Sequence, residues 1–298
     1  MPEIEGAVPG LAGGLRLFVG DVGDGGEIGS LDRPGAAALS ATAPKLAPGA
    51  EFDLPEAAAA HVKVRRLQPG DAVRLFDGES GVDWPAAVQA IGRHAVRVQV
   101  GGEPVAAVAA ELPLAVTLAF SMPANDRVDA LVEKATELGA AALWPLMSER
   151  SVLRLQGERA ARRRAHWQGV AAAACEQCGR ARVPRVHPVQ ALASWWTPGS
   201  APHDPSTARW VLSTAADAPP VAQVAGPALA NLPAGGAVMV LSGPEGGLAP
   251  AELEAAAAAG FTAVSLGPRI LRADTAPLAV LAWLGIASAQ RPGLKAGA

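Results

Sequence analysis

VMVLSGPEGGLAPAELEAAAAAGFTAVSLGPRILRADTAPLAVLAWLGIASA, residues 238–289, is the stretch on which the fold turns. Val238–Ser242 is a continuous apolar run of strand length, the pattern of a strand covered on both faces. It leads directly into Gly243-Pro244-Glu245-Gly246-Gly247. A helix is expected from Pro250, because proline suits a first helical turn, and Gly260 stops it. Ala263–Leu266 reads as the next strand and runs into Gly267-Pro268-Arg269-Ile270-Leu271-Arg272. The last helix follows, with Thr275 expected as its N-cap and Pro277 in its first turn. That helix is apolar nearly all round (Leu278, Val280, Leu281, Trp283, Leu284, Ile286), which requires burial in a core or in a subunit interface. Strand, loop and helix, twice over, is the unit of an α/β domain with a parallel sheet.

Working upstream, the same alternation extends back to Leu112. Leu114–Ala119 is strand-like, Val128–Leu138 is an amphipathic helix closed by Gly139, and Ala140–Pro145 returns to strand. An arginine-rich helix is expected over Glu158–Cys178, a loop over Trp195–Arg209 and a strand over Val211–Ser213. The N-terminal third differs. Leu15–Val19, Ala72–Phe76, Val82–Ala90 and Ala95–Val100 are short strands set between turn residues, the spacing of a small β-barrel or compact sheet. Gly20–Pro48 is a Gly/Ala/Pro-rich loop, with 21–44 and 197–208 read as insertions, and 101–110 is expected to be a linker. The boundary therefore falls between a domain at 1–110 and one at 111–298.

Composition narrows the function classes. Half of the 298 residues are apolar and 18% are charged, an ordinary globular balance. The longest apolar run, Ala276–Ala289, is shorter than the ~20 residues that span a bilayer. No basic segment followed by an apolar one opens the chain, so a cytoplasmic protein without a membrane partner is expected. The net charge of −3 is unevenly spread. Residues 150–185 carry nine arginines against Glu158 and Glu176, a surplus of seven that leaves −10 elsewhere. Arginine suits bidentate phosphate contacts and base stacking, although charge alone fits a solvated helix face equally well.

Glycine loops after parallel strands let ligands approach backbone amides, although GPEGG alone could also be only a tight turn. No GxxxxGK[ST] occurs, and residues 23–28 lack the third glycine of a dinucleotide fingerprint. Cys175-Glu176-Gln177-Cys178 has no second cysteine pair and no histidine at ligand spacing, so no metal is expected. The histidines at 61, 94, 166, 187 and 203 accompany no serine elbow, which gives nucleophilic hydrolysis no support. Glu176, Gln177 and Arg180 fall at helical spacing and offer an acid, an amide and a guanidinium.

ALVEKATELG (130–139), SERSV (148–152), EQCGRARVP (176–184), GPEGG (243–247) and LGPRILRADTA (266–276) together resemble the bacterial 16S ribosomal RNA uracil-N3 methyltransferases, the RsmE family of the SPOUT superfamily. KVRRLQPGD (63–71) and LFDG (75–78) extend the resemblance into the family's N-terminal PUA-like domain. The resemblance implies a PUA-like RNA-binding β-barrel joined to a SPOUT domain with a deep trefoil knot, working as a homodimer. It implies S-adenosyl-L-methionine (SAM) as cofactor and 16S rRNA of the small ribosomal subunit as substrate. A tRNA methyltransferase of the same superfamily and a non-catalytic RNA-binding assembly factor are the alternatives.

Carried over by motif, the resemblance assigns the cofactor to Leu241, Gly243, Glu245, Gly246, Gly247, Leu266, Gly267, Ile270, Leu271, Arg272 and Thr275. Substrate contacts carry over to Arg150, Glu176, Gln177 and Arg180. With the basic residues Arg65, Arg66 and Arg154 added, RNA is expected at Arg65, Arg66, Arg150, Arg154, Gln177 and Arg180, and catalysis at Arg272, Arg180 and Glu176. Uracil N3 must lose a proton before or during methyl transfer, so Arg272 or Arg180 would stabilise the uracil oxygen while Glu176 or Glu245 assists proton removal. The chain departs from the family at Arg65 (usually Leu), Ala124 (a lysine), Ala249 (a serine N-cap) and Asp274 (usually Glu).

Overall fold

The computed structural model describes residues 14–21, 43–107, 110–124, 127–196, 206–233 and 235–289. Most of the two expected insertions, 22–42 and 197–205, lies outside the described residues. The chain divides into two compact units. The smaller takes in the described residues up to Glu111 together with Cys175–Val183, and the larger takes in Leu112–Ala174 and everything from Pro184.

The smaller unit contains β1 (Leu15–Phe18), β2 (Glu51–Asp53), α1 (Glu56–Val64), β3 (Ala72–Phe76), β4 (Val82–Ile91), β5 (Val96–Val100) and β6 (Val105–Ala106). The sheet runs β1-β3-β4-β5-β2 with β6 on β4, and only the β1–β3 pair is parallel. In β5 the alternation is plain: Val96, Val98 and Val100 are buried, and Arg97 between them is exposed. These side chains share a core with Leu17, Leu75, Val88 and, from α1, Ala58, Ala59 and Val62. Two sequence expectations change. The segment 101–110 is not all linker, since Val105 and Ala106 pair with Asp83 and Val82. The helix α1 was not expected from the pattern, because its alanines give little amphipathic contrast.

In the same unit Arg16 is buried among β-strands and bonds Asp83 through Nε (2.9 Å) and Nη2 (2.7 Å). It also donates to the carbonyls of Cys175 (2.7 Å) and Arg180 (3.1 Å). The DGESG turn receives the same segment. Arg182 donates to the carbonyls of Glu79 and Ser80, and the Val183 N–H donates to the Gly78 carbonyl. A Cβ on Gly81 would stand 2.8 Å from the Arg182 Nε, so close docking explains the glycine in LFDGESG as well as its left-handed φ of 77° does.

The larger unit contains β7 (Ala115–Ser121), α2 (Arg127–Glu137), β8 (Ala142–Met147), β9 (Arg185–Val186), β10 (Gln190–Ala191), α4 (Leu192–Trp195), β11 (Ala208–Leu212), α5 (Val221–Asn231), β12 (Ala237–Ser242), α6 (Pro250–Ala258), β13 (Thr262–Val264) and α7 (Thr275–Ala289). The arginine-rich helix α3 (Gly157–Cys178) belongs to it up to Ala174. All strands pair in parallel, in the order β10-β8-β7-β12-β11-β13 with β9 on β8. Interior β12 is buried from Val238 to Ser242, as its unbroken apolar run requires. Gly139 closes α2 with a φ of 94°. Thr275 is not the N-cap of α7 but its first residue, the helix being tied off by N–H bonds from Thr275 and Ala276 to the Arg272 carbonyl. The helix α5 was missed because Pro227 lies inside it.

Candidate cofactor and RNA site

The loop after β13 borders a cavity of about 540 Å³ within the larger unit. Leu266, Gly267 and Leu271 of the loop and Thr275, Ala279 and Trp283 of α7 line it, together with Ser265, Arg269 and the start of α5 at Pro220, Val221 and Ala222. The volume and the mainly apolar walls with a few polar groups are those of a small-molecule site. Gly267 has φ of 99°, and a Cβ built there meets nothing within 4 Å, so open space faces its backbone. Four of the expected cofactor residues, Leu266, Gly267, Leu271 and Thr275, are thus brought together. Pro220–Ala222, Ala279 and Trp283 were not anticipated. The only trace of the former in the sequence is Pro219-Pro220 ahead of an apolar run, a helix-start signal.

The GPEGG loop is held by its neighbours in the larger unit. A turn closes it, with the Gly247 N–H donating to the Pro244 carbonyl (2.8 Å), and Gly243 packs so closely that a Cβ would lie 3.1 Å from Leu248. Arg150 Nη1 donates to the Gly246 carbonyl (2.9 Å), and the Ala124 N–H donates to Glu245 Oε1 (3.1 Å). Glu252 accepts from the Glu149 N–H and from the Ala249 N–H, each at 2.8 Å. Ala249 has no side-chain acceptor, so α6 keeps only this half of a capping box. Arg154 donates to the Glu149 carbonyl (2.7 Å). SERSV is therefore a brace for GPEGG, through its one exposed arginine and the Glu149 backbone.

Several expected site residues stand elsewhere or face otherwise. The Leu241 side chain is fully buried in the sheet core with Leu146, Met239 and Ala256, which leaves only its backbone to meet a ligand. Ile270 and Arg272 are exposed, Ile270 at 84%. Glu176 and Arg180 are each engaged with partners in the smaller unit. Glu176 accepts the Phe18 N–H (2.8 Å) and pairs with His61 Nδ1 (3.0 Å), and burial pushes its carboxyl above the ordinary range. Arg180, 3% exposed, donates from Nε to Glu111 (2.9 Å). Both side chains are committed inside the smaller unit, whereas Gln177 is exposed. Arg65 and Arg66 are exposed after α1, Arg66 in the left-handed region at φ 56°.

Along α3, Arg159 and Arg162 are exposed, while Arg163 lies 3.9 Å from Asp129 and Arg164 donates to the Val186 carbonyl. The thiols of Cys175 and Cys178 are free, and hydrogen bonding from Cys175 holds the Cys178 thiol down at about 6. Among the described residues no group of three or more His, Cys, Asp or Glu side chains is arranged to hold a metal ion, and no helix is long and apolar enough to cross a membrane.

The sequence also matches known proteins along most of its length. The RNA methyltransferase domain family matches residues 110–285, and the RNA methyltransferase PUA domain matches 54–101. The ribosomal RNA small subunit methyltransferase E of Synechocystis is 35% identical over 222 residues, covering 74% of this chain and 68% of the relative. That of Mycobacterium tuberculosis is 32% identical, covering 75% and 81%. The crystal structure of the Neisseria gonorrhoeae ribosomal RNA small subunit methyltransferase E bound to S-adenosyl methionine superposes with a TM-score of 0.71 at 30% identity, covering 91% of this chain and 96% of that one. With a PUA match inside the smaller unit and a methyltransferase match over the parallel sheet, this chain belongs to the RNA methyltransferase family that includes the ribosomal RNA small subunit methyltransferases E.

Proposed function

We propose that this chain is a SAM-dependent methyltransferase that modifies N3 of a uridine in 16S rRNA of the small ribosomal subunit. The observation that carries the reading is the cavity walled by Leu266, Gly267, Leu271 and Thr275, with exposed Arg272 following Leu271 in the same loop. Its size and apolar character suit an adenosyl group, and Ser265, Thr275 and the loop backbone supply polar contacts. When bound, SAM supplies the methyl group as an electrophilic carbon on sulfonium sulfur. The chain's task is then orientation and charge. Arg272 stabilises negative charge on a uracil carbonyl oxygen, which lowers the cost of losing the N3 proton to solvent. Glu176 and Arg180 act by position, holding the end of α3 in the smaller unit. The exposed Arg65, Arg66, Arg154, Arg159, Arg162 and Gln177 grip RNA.

The knotted SPOUT arrangement belongs to the same reading. It is supported by β13, which leaves β12 to pair beyond β11, and by α7, which comes back to pack on β7, β12 and α2. The homodimer belongs to it too. Ile286 is 63% exposed on α7, and Trp283 and Ala279 on the same stripe are only half-buried, an apolar face suited to a second copy. A cytoplasmic location follows from the substrate.

The test is incubation of the protein with labelled SAM and small subunits lacking the modification, followed by mapping of the methylated base. N3-methyluridine in 16S rRNA is expected. Methyl transfer confined to tRNA would favour the sister activity, and absence of SAM binding by calorimetry would leave a non-catalytic assembly factor.

A further inference from the structure

We propose that Arg127 is a positioning residue for the cofactor site, its guanidinium tying the GPEGG loop to the loop before α7 through Glu245 and Asp274. Its Nη1 lies 3.8 Å from Glu245 Oε1 and its Nε 3.9 Å from Asp274 Oδ2. The two carboxylates come from different loops, after β12 and after β13, and both are only partly exposed. Both lie within 4 Å of one guanidinium, and a cation between two like charges offsets their repulsion. Arg127 opens α2, where the positive end of the helix dipole disfavours a cation. The partners also fix one another. Glu245 accepts the Ala124 N–H (3.1 Å), and Asp274 Oδ1 accepts from Thr275 Oγ1 (3.3 Å), whose residue lines the cavity.

The consequence is a link between the loop that lines the cavity and the GPEGG loop, which the sequence shows only as separate motifs. With the clamp in place the loop carrying Leu266, Gly267 and Leu271 is held in register with GPEGG. Without it, two like charges push the loops apart. The inference rests on the reading that these loops hold SAM.

The experiment measures SAM affinity by calorimetry, and kcat and KM with small ribosomal subunits, in full-length protein. Arg127→Gln is expected to weaken SAM binding roughly tenfold and raise the KM for SAM equally, with kcat at saturating SAM held within about twofold. Arg127→Lys recovers most of the loss. Adding Glu245→Gln and Asp274→Asn to Arg127→Gln also recovers part of it, because the unscreened repulsion is gone. SAM affinity unchanged in Arg127→Gln, or a loss confined to the KM for RNA, overturns the clamp. Equal losses of SAM affinity in Arg127→Gln and Arg127→Lys, unrelieved in the triple variant, overturn it as well. Gly267→Val is the control for the underlying reading. If it binds SAM normally, the loops do not hold the cofactor, whereas its failure beside a normal Arg127→Gln rejects the clamp alone.

Discussion

His187 stacks on Trp144 with ring centroids 3.7 Å apart and planes within 10°, nearly buried beside the sheet of the larger unit. Burial, helped by Arg185 and Arg164, pushes its imidazole down to about 3. A histidine held neutral in this way binds its proton more readily when unfolded, so its effect on stability has a definite sign. Above pH 6.5 the group contributes no pH dependence, and below it stability falls as acid favours the unfolded chain. Between pH 7 and pH 5 this single site should remove on the order of 2 kcal/mol. Denaturant unfolding at the two pH values checks it, because His187→Phe should shrink the difference by that amount. Arg272 is tested by kinetics. Arg272→Ala should lower kcat by about two to three orders of magnitude while SAM still binds, as for loss of one oxyanion-stabilising group. A variant with normal kcat at saturating SAM would move the charge stabilisation elsewhere. The identity of such residues was legible in LGPRILR, but their commitments were not. Nothing in EQCGR signals that Glu176 accepts a β1 amide or that Arg180 is taken by Glu111, since both partners lie more than sixty residues away.

At the scale of elements, the strands and helices with one strong period were legible, and the ones missed were those whose local chemistry is mixed. The continuous run of β12 and the stripe of α2 each dictate one structure. In α5, by contrast, Pro227 argues against a helix that tertiary packing nevertheless holds, with Val221, Ala225 and Leu229 buried at four-residue spacing. The start of α6 shows how a missing local signal can be replaced from a distance. Ala249 cannot cap, yet Glu252 closes the helix by accepting the Ala249 N–H and reaches the Glu149 N–H with its other oxygen. Glu252→Ala should therefore cost about 1–3 kcal/mol in chemical denaturation, two charge-assisted bonds being lost together. Ala249→Ser should return about 1 kcal/mol of that loss by supplying the cap, without restoring the tie to Glu149. Full recovery in the double variant would mean that the tie contributes nothing.

For the whole molecule, the change of period near residue 110 suggests two consecutive domains, and nothing in it signals the return of Cys175–Val183 to the smaller unit. That return is created by a buried arginine: Arg16 binds Asp83 and the carbonyls of Cys175 and Arg180. Removing residues 1–110 would accordingly strip Arg16 from the carbonyls of Cys175 and Arg180, and Phe18 and His61 from Glu176, in addition to removing the proposed RNA-binding surface, so a truncation cannot separate the two roles. Point changes on exposed arginines can. Arg154, Arg159 and Arg162 of the larger unit are exposed, as are Arg65 and Arg66 of the smaller. If all five touch phosphates, each should contribute to the release of counterions, and the dependence of log affinity on log salt should flatten by roughly 0.7 per contact removed on single-stranded RNA. Glutamine at 154, 159 and 162 should thus reduce the slope by about 2, and glutamine at 65 and 66 by about 1.4, in filter-binding assays over a range of salt concentrations. SAM affinity should not move in either variant, because none of the five lines the cavity. A slope reduced by only one of the two groups would confine the RNA to one unit, and an unchanged slope in both would place the phosphate contacts on other arginines of this unevenly charged chain.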